Sequence, residues 1–254
     1  MTNSLQLAHQ LKERDVLLVG GGEVALTRVL KLIKTGARVT LVSAEIHPTI
    51  TKKFGFEGVK NNNWTPESLE LYQVVQSPFL DEHFKLCGEG KGWSIILTAI
   101  PDQEESERIY HEAKRLFGPQ QMVNVADNPP LCDFHFGANL EVHGLQLLIS
   151  SNGSSPRFTA LVRDEIKRHL DTLDLERAVE TLGQLRALVR EASPDQQQSK
   201  YRMQWVKQCT DIFGIEHAGN IDTQKLLTLY TTMNSSKSLK FPPKETLLQE
   251  YLIE

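Results

Sequence analysis

An α/β fold with a parallel sheet, followed by a helical C-terminal region, is predicted by three features of this 254-residue chain. Short apolar runs alternate with amphipathic stretches of helix length up to about residue 127, the pattern of strands joined by crossover helices. One of those runs, "VLLVG" at residues 16–20, leads straight into a glycine turn and a helix. From residue 172 onward the apolar spacing is helical throughout. At about 100 to 200 residues per domain, the length suits one domain of ordinary size and a smaller one.

Each element follows from its own residues. The run 16–20 is apolar at every position, as in a strand buried on both faces. After the glycines, a helix begins at about Glu23, carries Val24, Leu26, Val29, Leu30 and Ile33, and is closed by Gly36, where a C-terminal cap belongs. "RVTLVS", residues 38–43, is the next strand and completes a β-α-β unit. Further strands are expected at 73–76, 93–99 and 121–125, with a helix over 103–117 through Ile109, Ala113, Leu116 and Phe117. The polar stretch 56–72, with its Asn triplet, reads as a surface insertion.

The pattern breaks at "NVADNPPLCDFHF", residues 124–136. Pro129 and Pro130 cannot continue a helix or a central strand, and Asn128 is pushed toward extended geometry, so an extended path is expected beyond Asp127. Residues 131–153 hold two strand-like runs around a polar turn, an antiparallel hairpin outside the parallel sheet. A helix follows, with Ser155 as N-cap, Pro156 in its first position and Phe158, Leu161, Val162, Ile166 and Leu170 on one face. The apolar stripe of hairpin and helix has no evident partner in the same chain, so a dimerisation segment is expected. Helices near 174–190, 198–213, 222–233 and 243–252 complete the chain. The expected domains are 1–128, a Rossmann-like nucleotide-binding domain; 129–171, the dimerisation segment; and 172–254, the helical domain.

Composition excludes several classes of function. Hydrophobic residues at 40% and charged residues at 24% place the chain among soluble globular proteins, and a net charge of -4 argues against a nucleic-acid partner held by a basic face. No apolar run approaches the roughly 20 residues of a membrane span, and the N-terminus lacks the apolar core of a signal peptide. A cytoplasmic protein is expected. Cys87, Cys132 and Cys209 form no C-x-x-C pair, and no two histidines stand four apart on an expected helix, so no metal site is written.

The chemistry begins at "VGGGEVA", where Gly20, Gly22 and Ala25 make a G-x-G-x-x-A motif. Such a turn needs its first glycine to bend, its second to let backbone approach a pyrophosphate, and a small third residue to pack the helix on its strand. The helix N-terminus then faces the anion with free N-H groups. Ser43 ends the following strand, and no arginine succeeds it to hold a 2'-phosphate, which favours NAD over NADP. Thr98 and Ala99, at the carboxyl end of another strand, are placed to line the nicotinamide side; Asp102 reads as the cap of the next helix. Asp127 shares that edge of the sheet. From its spacing it is either a general base in a cleft or a turn aspartate bonding its own backbone. The Ser- and Gly-rich stretch 150–156 is either a receptor for a substrate carboxylate or a plain loop.

Six stretches carry a resemblance over nearly the whole chain: "SLQLAHQL", "LLVGGGEVALTR", "NVADNPPLCDFHFGANLE", "SSNGSSPRFTALVRDEI", "CTDIFGI" and "LKFPP". Together they resemble the fungal bifunctional precorrin-2 dehydrogenases and sirohydrochlorin ferrochelatases, and the N-terminal half of bacterial siroheme synthases. Bacterial members tend to carry Arg-Lys where this chain has Thr27 and Arg28. The resemblance implies a homodimer that oxidises a tetrapyrrole, precorrin-2, with NAD and inserts ferrous iron, a substrate and not a bound cofactor, into sirohydrochlorin. It implies Asp127 as the acid-base residue and Gly22, Glu23, Val24 and Ser43 as cofactor contacts. Ser154, Ser155 and Arg157, with Arg163, are candidates for the substrate's carboxylates. Two rivals share the glycine turn: a non-catalytic module sensing NAD redox state, which has no need of Asp127, and a dehydrogenase without chelatase activity.

Overall fold

The computed structural model describes residues 4–87 and 92–253, which form two compact units, Met1–Phe136 and Gly137–Glu254. In the first, strands β1 (Asp15–Val19), β2 (Arg38–Val42), β3 (Gln73–Val75), β4 (Ile95–Thr98) and β5 (Val123–Val125) form a five-stranded sheet in the order β3-β2-β1-β4-β5. Every pair is parallel. Asp15 and Arg38 face each other in register across β1 and β2 and are joined by a two-pronged ion pair, with N–O distances of 2.8 and 3.1 Å. The order of strands turns between β1 and β4, the point where open α/β sheets leave a crevice beyond the carboxyl ends.

Helix α1 (Glu23–Leu32) crosses from β1 to β2 and ends in a short 3₁₀ turn capped by Gly36 at φ 69°, as its sequence position predicts. Its buried residues Ala25, Val29 and Leu32 join Val16, Leu18, Val39 and Leu41 in the core of one sheet face. The next helix but one, α3 (Gln103–Phe117), crosses from β4 to β5 and covers the other face, where Ile109 and Ala113 pack with Leu17, Val19 and Ile96. Its N-cap is Asp102, whose Oδ1 accepts from the Glu105 N-H at 3.0 Å.

The structure differs from the sequence expectation at three places in this unit. Helix α2 (Pro48–Phe54) is absent from that expectation, although Pro48 starts it and Ile50 and Phe54 lie one turn apart on its buried side. The stretch 56–72 is a packed loop and not a bare surface insertion: Leu71 is fully buried, the Trp64 indole donates to the Glu70 carbonyl, and Trp64 meets Tyr72 edge to face at 5.6 Å. Its few apolar residues lack any period, so pattern alone could not place them. The strands at 93–99 and 121–125 are shorter than expected, at 95–98 and 123–125: the Gln121 N-H turns back to the Gly118 carbonyl at 3.1 Å, and its side-chain amide donates to the Trp93 carbonyl at 2.8 Å.

In the second unit β6 (Ala138–Val142) and β7 (Leu145–Ile149) form the expected antiparallel hairpin, with helix α4 (Pro156–Leu170) packed on it. On α4, Phe158 and Leu161 are exposed, and so is Leu145 on β7. Helices α5 (Leu175–Ala192), α6 (Ser199–His217), α7 (Thr223–Ser235) and α8 (Lys244–Glu250) follow, with α6 broken at Gly214, φ 62°. Their core centres on Trp205, which is fully buried, stacks edge to face on Tyr230 at 5.1 Å and donates its indole N-H to the Met233 sulfur. Among the described residues no helix is long and apolar enough to cross a membrane.

Truncating a buried tryptophan removes its burial and leaves a cavity, at a cost of about 3–5 kcal/mol. Trp205→Ala is expected to destabilise the helical unit by that amount while leaving the unfolding of the sheet unit in place. Denaturant titration followed by signals from each unit measures it.

Candidate active site

The glycine turn is built from contacts no other residue allows. Gly20 has φ 108°, and a Cβ on it would lie 2.3 Å from the Ala99 carbonyl oxygen. A Cβ on Gly21 would lie 2.3 Å from the Glu45 carbonyl oxygen, and the Gly21 carbonyl accepts from the His47 N-H at 2.7 Å. The turn is therefore clamped between the loops leaving β2 and β4. Gly21 fills only the variable position of the motif, so the motif does not mark it; the signal for it is three glycines where two suffice. Gly22 differs from both. A Cβ there meets nothing within 4 Å, so the protein itself leaves that side open.

Open space at Gly22 is where a dinucleotide pyrophosphate fits. Gly22 is the N-cap of α1 and offers no side chain to the helix, which leaves the first-turn N-H groups of Glu23 and Val24 to an anion. Val24 is exposed. The Glu23 carboxylate is held aside, 3.0 Å from His47 Nε2, while His47 Nδ1 accepts from the Thr49 N-H. Ser43 lies against Gly21, and its hydroxyl donates to the Glu45 carbonyl at 2.6 Å, leaving the oxygen free to accept a ribose hydroxyl. At the end of β4 the Thr98 hydroxyl is buried and has no hydrogen-bond partner among the described residues. An orphan of this kind costs about 1–3 kcal/mol until a ligand or water satisfies it. Turn, uncapped helix and orphan hydroxyl thus fit a nicotinamide dinucleotide.

Asp127 lies two residues beyond β5, on the same edge of the sheet as Gly20 and Ala99. It is exposed, at φ 60°, and its carboxylate accepts no hydrogen bond from any described residue. It is not the aspartate of a self-bonded turn. A non-glycine residue at positive φ carries about 1–3 kcal/mol of strain, which the surroundings must hold in place. Here they do so by a return strand: the chain doubles back along the open edge of β5, with Asn124 bridged to Cys132. The Asp133 carboxylate accepts from the Val123 N-H at 2.8 Å and from Lys114 at 2.7 Å, and Asn124 Nδ2 donates to the Phe134 carbonyl at 2.8 Å. The Cys132 thiol donates to the Val125 carbonyl at 3.1 Å; burial pushes its pKa up, against that hydrogen bond and the nearby Arg28 charge. The extended path expected after Asp127 is corrected by this fold. Asn128, at φ -129° and ψ 78°, leads into a 3₁₀ turn at Pro129–Leu131, which proline's fixed φ suits as well as an extended strand, and the chain is extended again only at Cys132.

In the second unit the sequence candidates are less engaged. Ser155 stands at the N-cap of α4, but its side chain makes no capping hydrogen bond, and its own N-H donates to Ser151 Oγ at 2.9 Å. Ser154 and Arg157 are exposed. Arg163 is tied to Asp164 by two hydrogen bonds, 2.8 and 2.6 Å, which weakens it as a substrate contact. Among the described residues no cluster of His, Cys, Asp and Glu is arranged to hold a metal ion.

The two outer glycines of the motif separate stability from ligand binding. Gly20→Ala is expected to destabilise the sheet unit by more than about 1 kcal/mol, through its positive φ and the Ala99 carbonyl. Gly22→Ala is expected to leave the melting temperature within about 2 °C, because less than about 0.5 kcal/mol is at stake on an open surface. Thermal melts of the two variants compare them directly.

Residues 7–138 match a family model described as putative NAD(P)-binding, residues 143–169 the central region of the sirohaem biosynthesis protein, and residues 173–239 its C-terminal region. The chain is 52% identical, over 271 residues covering 99% of each protein, to a siroheme biosynthesis protein of Saccharomyces cerevisiae. It is 31% identical, over 86% of its length and 75% of the other, to a siroheme biosynthesis protein of Schizosaccharomyces pombe. The solved structure of SirC, a precorrin-2 dehydrogenase, shares its fold with a TM-score of 0.61 over 90% of this chain and 99% of that one, at 19% identity. An NAD(P)-binding sheet joined to both sirohaem-specific regions, with such identity over the full length, makes this chain a member of the siroheme biosynthesis protein family.

Proposed function

We propose that the chain is a bifunctional cytoplasmic enzyme of siroheme synthesis, oxidising precorrin-2 to sirohydrochlorin with NAD and then inserting ferrous iron, with Asp127 as the base of both steps. The observation that carries this reading is a residue held at φ 60° whose carboxylate accepts no hydrogen bond from any described residue, at the carboxyl end of the sheet that also bears the glycine turn. β5 stands two strand spacings from β1, about 10 Å, a distance a tetrapyrrole spans.

When bound, NAD supplies the hydride acceptor. Gly22, Glu23 and Val24 hold its pyrophosphate, Ser43 a ribose hydroxyl, and Thr98 and Ala99 border the nicotinamide. In the oxidation one hydride leaves precorrin-2 and one proton passes to Asp127 Oδ. In the metal insertion two pyrrole N-H protons leave as iron enters, and Asp127 takes them in turn and releases them to solvent. Its exposure serves this second step, since a base that works twice must unload between transfers. Iron is a substrate here: a protein cage of Cys and His would hold it back from the macrocycle.

Asp127→Asn keeps size and polarity but cannot accept a proton. Loss of a general base costs about 100-fold to 10,000-fold, so both oxidation and iron insertion are expected to fall by that factor while NAD affinity is unchanged. Gly22→Asp is the complement: it puts a side chain and a negative charge where the pyrophosphate approaches, and is expected to abolish oxidation but spare iron insertion into supplied sirohydrochlorin. Absorbance of the tetrapyrroles follows both reactions. Loss of only one activity in Asp127→Asn would divide the site between two bases.

The segment 129–171 is proposed to form a homodimer. The two-stranded β6-β7 sheet has edges open to pairing, and Phe158, Leu161 and Leu145 supply exposed apolar surface beside it. Light scattering at micromolar concentration is expected to give twice the chain mass, and Phe158→Glu with Leu161→Glu to reduce it to the single mass.

A further inference from the structure

Arg28 is the one arginine of α1, and its position is unusual for a helix surface. Its guanidinium lies over the Phe136 ring, 4.0 Å from the centroid, and Phe136 itself is braced edge to face by Phe134 at 5.5 Å. Arg28 makes no hydrogen bond and no ion pair with any described residue. Its fork is thus held over an aromatic ring, with its donors unspent on any described residue. Burial lowers its pKa, and electrostatic interaction with Cys132 and Asp127 works the other way, so the two ends of the β5 return loop lie within electrostatic reach. Arginine nonetheless stays protonated at any ordinary pH.

A half-buried cation with unspent donors is a receptor for an anion, and its place decides which anion. The cofactor's phosphate belongs at Gly22, and a 2'-phosphate would lie beside Ser43, beyond β2. Arg28 instead stands five residues into the helix, about 7 Å along its axis from Glu23. Its partners are Phe136, Cys132 and Asp127, all on the β5 side. Nor is Asp127 the anion, since no ion pair within 4 Å joins them; the stack on Phe136 holds the guanidinium back. A direct pair would bind the carboxylate that has to take up protons.

We propose that Arg28 grips a peripheral carboxylate of the tetrapyrrole with its fork, and so sets the macrocycle against Asp127. The proposal rests on the reading of Asp127 as the base and names the residue that brings substrate to it. Lys31 Nζ lies over the same ring at 5.3 Å, and of the two cations only the Arg28 fork can meet a carboxylate with two parallel N-H groups.

The test measures equilibrium binding of sirohydrochlorin, of its carboxyl-esterified form and of NAD to the full chain carrying Arg28→Met or Arg28→Lys. A charge-assisted hydrogen bond removed from a ligand costs about 10-fold to 100-fold in affinity. Arg28→Met is expected to weaken sirohydrochlorin by that factor, to leave NAD unchanged, and to bind the ester as weakly as the wild type does. Arg28→Lys, which keeps the charge and loses the fork, is expected to fall between them, and it carries the test if Arg28→Met does not fold. Wild-type affinity for sirohydrochlorin in either variant overturns the proposal. So does an equal loss for acid and ester, or a parallel loss of NAD. Asp127→Asn separates the two readings: if both of its rates survive, the base is elsewhere, while the acid-specific loss at Arg28 still stands.

Discussion

No side chain fits between the turn at Gly20–Gly21 and the two carbonyls that flank it. The oxygens of Ala99 and Glu45 each stand 2.3 Å from where a Cβ would begin, so main chain meets main chain at the carboxyl ends of β1, β2 and β4. Everything at the site inherits its position from this contact. It seats the start of α1, and so directs the open N-H groups of that helix into the crevice; it holds the loop of Ser43 and His47 on one side and Thr98 and Ala99 on the other. Gly22, one residue further, is free of such constraint, and its open side is the space left for a ligand.

A second device places the carboxylate. An edge strand such as β5 exposes unpaired backbone groups, which folded chains cover or pair. Here the cover is the same chain, folded back after Asp127. Asp133 takes the Val123 N-H, Asn124 holds the Phe134 carbonyl, and the Cys132 thiol closes on Val125. These bonds lock both ends of the loop 126–131, so its tip tolerates a non-glycine residue at positive φ. The strain at Asp127 is maintained by contacts several residues away, none of which touches the carboxylate. One segment both covers the β5 edge and positions the Asp127 carboxylate.

The two devices meet at α1. Its N-terminus serves the glycine turn, while Arg28 in its second turn lies on Phe136, at the far end of the return loop. One helix therefore ties the glycine turn to the segment that follows the Asp127 loop through rigid elements. The second unit is organised by different means: an all-helical core around Trp205 and Tyr230, and a hairpin with α4 whose apolar residues Phe158 and Leu161 remain outside it.

Much of this was legible in the sequence because it depends on local rules. Period and punctuation determined the strands, α1 with its Gly36 cap, α3 over 103–117 with its Asp102 cap, the hairpin, and the helices after residue 172. The motif marked Gly20 and Gly22, and the break at the prolines marked Asp127. What only the tertiary structure decided is set by partners distant in sequence. Gly21 needs the Glu45 carbonyl to show why it is glycine; the loop 56–72 needs the sheet edge to bury Leu71; the Pro129–Pro130 pair, compatible with extended or 3₁₀ geometry, needs β5 to choose between them. Arg28 reads as one more surface cation on a helix until Phe136, far along the chain, comes to lie beneath it. Local propensity is a property of neighbours along the chain, whereas close approach, strain and charge environment belong to neighbours in space, which no pattern along the chain records.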